Sequence, residues 1–467
     1  MILNNKHLDR FESIIKRYFK HTFTAQQKDL IQGLKKFIFT VNTKDLFIIS
    51  GYAGTGKSSL IGAIVKSLEE IDYSTCLLAP TGRATKVLAE FSNKKSSTIH
   101  RKIYHHTKNK NGSFSTKLSI NKSQNTLFII DESSMIPDQS NNSGGNNLLD
   151  DLISYIYSGK NCKLIFIGDT GQLPPVGSLF SPALSLEYLK EYYPSININI
   201  FHLNEVVRQK EKSGIIVNAT NTRSSKQMNF LEWEHFNDVE YVEGRELQDT
   251  IEQSYDNTGI SETIIITRSN KRANEYNNQI RKRLLWKESS IEKGDIIMVT
   301  KNNYFWAEKG ELLANGEMFE VVKIMKEEFI YEMDFINIRI RGVNNKEEKD
   351  LVIFKELLEN DSPNLSWDIL SNLYKEIAKD FDYISNKKDL KSSVLSNKYY
   401  NALQVKFSYA VTCHKAQGGQ WDNVFIDLGY ITKDRINKEF MRWLYTAITR
   451  AKRKVFLINF PDYLLKK

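Results

Sequence analysis

The chain has 467 residues, more than one ordinary domain holds, which predicts two or three domains. Hydrophobic residues at 41% and charged residues at 26% exclude a disordered chain, and the lack of any apolar run of about 18 residues excludes a membrane-spanning helix. A net charge of +9 favours a polyanionic partner, and the 3 scattered cysteines (Cys76, Cys162, Cys413), with no Cys-x-x-Cys pair, indicate neither a disulfide framework nor a zinc site.

The amino-terminal stretch MILNNKHLDRFESIIKRYF lacks the features of a secretory signal, so a cytoplasmic location is expected. From there to about residue 225, short apolar runs alternate with helical patterns, as in βαβ units. DLFIIS (Asp45 to Ser50), TCLLAP (Thr75 to Pro80), TLFIID (Thr126 to Asp131) and CKLIFIGD (Cys162 to Asp169) end in small or acidic residues. Such runs predict buried parallel strands with functional loops at their carboxyl ends. The basic stretch 98–125 predicts a small hairpin turning at Asn111-Gly112, and SNNSGGNN (Ser140 to Asn147) a surface loop.

Beyond residue 225, ETIIITR (Glu262 to Arg268), NVFIDL (Asn423 to Leu428) and KVFLINF (Lys454 to Phe460) predict a second set of buried strands. Residues 293–400 interrupt them with short β-rich runs, which predict a barrel-like insert followed by helices carrying Trp367, Tyr374 and Phe381. The expected layout is two α/β domains, 1–225 and 226–467, each carrying an insertion.

GYAGTGKS (Gly51 to Ser58) fits the phosphate-loop pattern G-x-x-x-x-G-K-[ST], directly after a strand and before a helical run. Gly51, Gly54 and Gly56 let the backbone curl so that successive N–H groups, Ala53 and Thr55 among them, point at phosphate oxygens. The helix that follows, opening with Lys57, Ser58 and Ser59, presents its positive end to the anion. Lys57 reaches the terminal phosphates, and Ser58 can coordinate Mg²⁺. In FIIDESSM (Phe128 to Met135), Asp131 is expected to hold Mg²⁺ through its water shell and Glu132 to accept a proton from the attacking water. In IGDTGQLPPVG (Ile167 to Gly177), Gln172 is a candidate reporter of the γ-phosphate, and Pro174-Pro175 stiffens the loop beyond.

In this order and with these spacings the chain resembles the superfamily 1 helicases, in the B subgroup that includes the RecD, Dda and Pif enzymes. The resemblance covers nearly the whole chain. It implies two RecA-like P-loop NTPase motor domains, a hairpin insert in the first and an SH3-like β-barrel insert in the second, with ATP and Mg²⁺ as cofactors. FTAQQKDL supplies Thr24 and Gln27 of an adenine-recognising motif, and LNEVVRQ supplies Arg208 toward the γ-phosphate. VTCHKAQGGQWDNVFID supplies Gly418 on the nucleotide, and YTAITRAK makes Arg450 an arginine finger. By the same resemblance Pro80 and Thr81 in APTGRA, His100 in STIH, Pro174, Asn270, Thr412 and His414 contact nucleic acid. Phe114 or Tyr104 on the hairpin is the candidate pin that stacks on a junction base.

The implied activity is unwinding of duplex DNA by 5′ to 3′ translocation on single-stranded DNA, in replication, repair or recombination. Single-stranded DNA and its junctions with duplex are the implied partners. Single-strand-binding or replication proteins are further candidates, and the chain is expected to act as a monomer. Two other readings remain open at this point: an RNA helicase or ribonucleoprotein remodeller, and a non-motor switch that uses ATP to gate nucleic-acid binding.

Overall fold

In the computed structural model, residues 5–40, 44–108, 114–138, 147–207, 213–224, 230–308, 313–343 and 347–466 are described. The first sheet comprises β1 (Asp45–Gly51), β2 (Ser74–Ala79), β3 (Ser96–Thr98), β6 (Thr126–Ile130), β7 (Lys163–Gly168) and β8 (Asn197–Leu203), with a two-stranded ribbon β4 (Tyr104–Lys108) and β5 (Phe114–Leu118) inserted. Every pairing in the order β3-β2-β6-β7-β1-β8 is parallel. Alternation along the strands explains how one sheet feeds two cores. Phe47, Ile49, Ile129 and Ile165 face one helical layer with Leu30, Leu34 and Ile64, whereas Ile48, Phe128, Ile130 and Phe166 face another with Leu149 and Leu152.

The second sheet takes β9 (Val239–Val242), β10 (Thr263–Thr267), β16 (Ala410–Thr412), β17 (Trp421–Asp427) and β18 (Ala451–Ile458), in the parallel order β16-β10-β17-β18-β9. Between β10 and β16 the chain forms an antiparallel sheet of β11 (Ile296–Val299), β12 (Met318–Ile330), β13 (Met333–Gly342), β14 (Glu348–Phe354) and β15 (Val405–Phe407). Register shifts at Val321/Lys323 and Ile324/Lys326 bend β12 against β13. Helices Trp367–Lys379 and Lys387–Leu395 cover this sheet through Leu373, Ile377 and Val394, which pack with Phe335 and Phe354.

The four first-half runs singled out in the sequence are all central strands. Edge strand β8, with the burial of NINIFHL alternating along it, and three-residue β3 carry no comparable apolar run. The ribbon pairs Tyr104 with Leu118 through Lys108 with Phe114, and its expected turn at Asn111-Gly112 lies outside the described residues, as does most of the loop 140–147. Helix Gly214–Ser224 lies before the expected boundary at 225, yet it packs on helix Lys438–Ile448 and β18, with Ile215 and Ala219 in the core of the second sheet. Among the described residues no helix is long and apolar enough to cross a membrane.

Candidate active site and nucleic-acid interface

β1 ends at Gly51, and the chain turns through Gly54 and Gly56, both left-handed at φ +80° and +81°, into helix Lys57–Glu70. Gly56 is required twice over, because a Cβ there would also lie 2.9 Å from Gln27 Nε2. Gln27 is fully buried beneath the loop. Its Nε2 donates to the Thr55 carbonyl at 3.1 Å, and its Oε1 accepts from the Thr24 N–H at 3.2 Å, closing a capping box on helix Ala25–Phe39. The Lys57 ammonium donates to the Gly51 and Tyr52 carbonyls, the latter at 2.8 Å.

A cleft of about 520 Å³ opens over this loop, lined by Gln27, Ala53, Gly54, Gly56, Lys57, Ser58 and Ser59 on one side and Gly418 and Arg450 on the other. Asp131, Glu132 and Gln172 line it as well. Gly51 and Thr55 do not, and serve the loop from behind through their carbonyls. Burial, then the neighbouring Glu132, push the Asp131 carboxyl up to about 7, against the pull of the Glu132 N–H and Lys57. Glu132 has φ +51°, a left-handed conformation that costs a non-glycine residue about 1–2 kcal/mol. Gln172 Oε1 is buried with no hydrogen-bond partner among the described residues. Arg450 is 3% exposed, and its guanidinium donates to the Thr446 carbonyl at 3.0 Å, the Gly419 carbonyl at 3.2 Å and Thr449 Oγ1 at 3.1 Å.

Four hydrogen bonds that no local pattern reveals tie the two sheets together across this cleft. The Tyr445 hydroxyl donates to Asp169 Oδ2 at 2.6 Å and accepts from the Ala53 N–H at 2.8 Å, so a second-lobe side chain reaches the phosphate loop itself. The Leu173 N–H donates to Thr446 Oγ1 at 2.9 Å, and Gln417 Nε2 donates to the Leu173 carbonyl at 2.8 Å. Leu173 itself is buried in the second sheet's core. Pro174, expected on nucleic acid, is buried and outside both cavities' linings, and Val176, 79% exposed, is the residue of this loop that lines the second cavity.

That second cavity, about 880 Å³, runs between the sheets and brings together Pro80, Thr81, His100, Asn270, Thr412 and His414. Each sits at a strand end or helix start. Thr81 Oγ1 accepts from the Ala84 N–H at 3.2 Å as a cap, whereas the Thr412 hydroxyl caps nothing. Burial holds the His414 imidazole below its usual range, so near neutral pH it is an uncharged hydrogen-bonding group. Tyr104 also lines the groove, but its hydroxyl donates to Asp151 Oδ2 at 2.7 Å, which fastens it to its own lobe. Arg208 and the side chain of Phe114 lie outside the described residues.

Arg83 bridges the sheets between groove and cleft. Its guanidinium lies 3.8 Å from the Trp421 ring centroid and donates to the Gln420 carbonyl at 2.9 Å. Burial pushes it down to about 10. Next to it, Gly418 has φ +71°, and a Cβ there would meet Thr81 Oγ1 at 2.8 Å. Arg83, Trp421, Tyr445 and Asp169 were not assigned roles by the sequence. Their positions inside APTGRA, VTCHKAQGGQWDNVFID, YTAITRAK and IGDTGQLPPVG were the signals that hinted at them.

One cleft with a phosphate loop on one parallel sheet and an arginine from another is the architecture of a two-lobed P-loop nucleoside triphosphatase. Residues 23–239 match the AAA domain family, and residues 407–458 match the UvrD-like helicase C-terminal domain. The ATP-dependent DNA helicase dda of Enterobacteria phage T4 is 27% identical over 472 residues, covering 92% of this chain and 99% of that protein. The ATP-dependent RecD2 DNA helicase of Deinococcus radiodurans is 24% identical over 426 residues, covering 88% of this chain but 46% of the relative. A Pif1 helicase structure from Bacteroides with ADP-AlF3 and ssDNA is similar at a TM-score of 0.49 and 16% identity, covering 96% of this chain and 95% of that one. In these matches the chain is similar to superfamily 1 helicases of the RecD- and Dda-like branch.

Proposed function

We propose that this chain is an ATP-dependent DNA helicase that moves 5′ to 3′ along a single strand held in the groove between its lobes. The observation that carries the reading is the convergence of Lys57 and Arg450, from different sheets, on one cleft. Lys57 and the loop amides take the phosphates, Gln27 the adenine and Arg208 the terminal phosphate, and Arg450 meets the charge that develops on the transferred phosphoryl. Glu132 orients and deprotonates water, and the orphaned Oε1 of Gln172 is an acceptor for that water. The residues fit Mg²⁺: the Ser58 hydroxyl and the buried Asp131 carboxylate would hold it, and it would supply positive charge against the phosphates.

Thr81, His100, Asn270, Thr412 and His414 take the strand's phosphates. Loop 169–176 runs from the cleft to the groove and is clamped midway to the second lobe at Leu173, so a change at the γ-phosphate is transmitted to the strand. The joint between the motor units lies before Gly214, since the helix from there rides on the second sheet. The ribbon at 104–118 acts as the duplex-splitting pin, the antiparallel sheet is an SH3-like insert, and the protein works as a monomer.

Strand displacement on substrates with a 5′ or a 3′ tail tests the polarity, with Lys57→Ala as the inactive control. Unwinding only from the 5′ tail is expected, and preference for the 3′ tail overturns it. Greater stimulation of ATPase by poly-U than by poly-dT would favour an RNA substrate instead. For the pin, Phe114→Ala should lose unwinding and keep ATPase.

Arg83→Ala should weaken the coupling between the two sites, which typically amounts to about 5–150-fold. Its stimulation by poly-dT should fall further than its DNA-free ATPase rate. Equal losses in both rates would reduce Arg83 to a packing residue.

A further inference from the structure

A third cavity, about 960 Å³, lies beyond both sites, at the carboxyl ends of β10, β17 and β18. Crevices outside the carboxyl ends of parallel strands are where open α/β sheets bind ligands. Arg268 and Ser269 line this cavity and the strand groove alike, so the two adjoin through those residues.

The charges in the cavity divide into spent and unspent. Asp427 at its floor is buried and satisfied by Arg272 Nε at 2.6 Å, Asn459 Nδ2 at 2.7 Å and the Gly429 N–H at 3.0 Å. No carboxylate pairs with Arg268 or Lys433 among the described residues; Arg268 has the Phe440 ring at 5.9 Å and Lys433 the Tyr463 ring at 5.2 Å. Burial, then the like charge of the neighbouring Arg435, hold Arg268 below its usual range, against the smaller pull of the Glu439 carboxylate, which makes no ion pair with it among the described residues. Tyr430 on the same rim is 90% exposed, with neither a ring partner nor a hydrogen bond among the described residues. An unsupported aromatic beside unpaired cations is the composition that takes bases by stacking and phosphates by charge.

We propose that this cavity is an additional subsite for the same single strand, taking a nucleotide beyond those in the groove, its phosphate against Arg268 and Lys433 and its base on Tyr430. The proposal rests on the reading of the groove as the strand's path, and it extends that path along the second lobe.

Binding of labelled oligo-dT of increasing length to the full chain tests it, by fluorescence anisotropy. Wild-type affinity should rise once the strand outgrows the groove, by about 5–150-fold for one stacked base. Tyr430→Ala should lose that increment and bind the shorter strands as wild type does, while Tyr430→Phe keeps it. Lys433→Ala should lower the slope of log affinity against log salt by about 0.7 for long strands only. A Tyr430→Ala variant weakened equally at every length, or at none, overturns the subsite and leaves the groove reading intact. Failure of wild type to bind any length overturns both.

Discussion

Replacing Arg450 with alanine will slow DNA-stimulated ATP hydrolysis by about 10³–10⁵ while leaving nucleotide binding nearly intact. Its guanidinium is buried and held by two carbonyls and one hydroxyl, with no carboxylate partner among the described residues. A buried cation without a counter-charge is expensive, and such a cost is retained where an anion completes the site. The cleft it lines is the one that Lys57 also lines, and developing phosphoryl charge is the anion both would meet. Single-turnover hydrolysis beside a fluorescent-nucleotide titration measures the two effects separately. Arg450→Lys keeps the charge and loses the planar fork, so it should fall between the two. Hydrolysis within tenfold of wild type in Arg450→Ala would leave the second lobe with no chemical part in the reaction.

Lys57→Ala is the second large effect, with the rate expected to drop by about 10²–10³, as when one donor to developing negative charge is removed. It should also weaken nucleotide binding, in contrast to Arg450→Ala, because in the proposed mechanism Lys57 meets the phosphates before and during transfer. Its ammonium is held ready by the Gly51 and Tyr52 carbonyls, which keep it over the loop. Those carbonyls can turn to water when the side chain is cut back, so the fold should survive, with an unchanged circular dichroism spectrum. Hydrolysis and binding both close to wild type would remove the phosphate-loop reading.

Much of this organisation was legible in the residues because buried parallel strands leave a strong local trace. β1, β2, β6, β7, β10, β17 and β18 are apolar runs, and β1, β2, β6 and β7 lead straight into candidate site residues, so finding those strands also locates the candidate site. Edge strand β8 escapes that reading because one face meets solvent and its side chains alternate instead. The phosphate loop and the Asp131-Glu132 pair are local strings whose geometry follows from glycine freedom and a strand end.

What the order of amino acids determined by itself was therefore the class of chemistry: a phosphate-binding turn, a carboxylate pair and motifs from two lobes. Only the folded chain decided how those parts are joined. Tyr445 reaches Asp169 across 276 residues, and Gln417 reaches Leu173 across 244. The fold likewise attaches helix Gly214–Ser224 to the second sheet, buries Pro174 and turns Val176 to the groove. Periodicity and capping report on neighbours within a few turns of chain. A hydrogen bond between residues hundreds of positions apart depends on how two cores pack against one another, and it leaves no mark on the sequence near either partner.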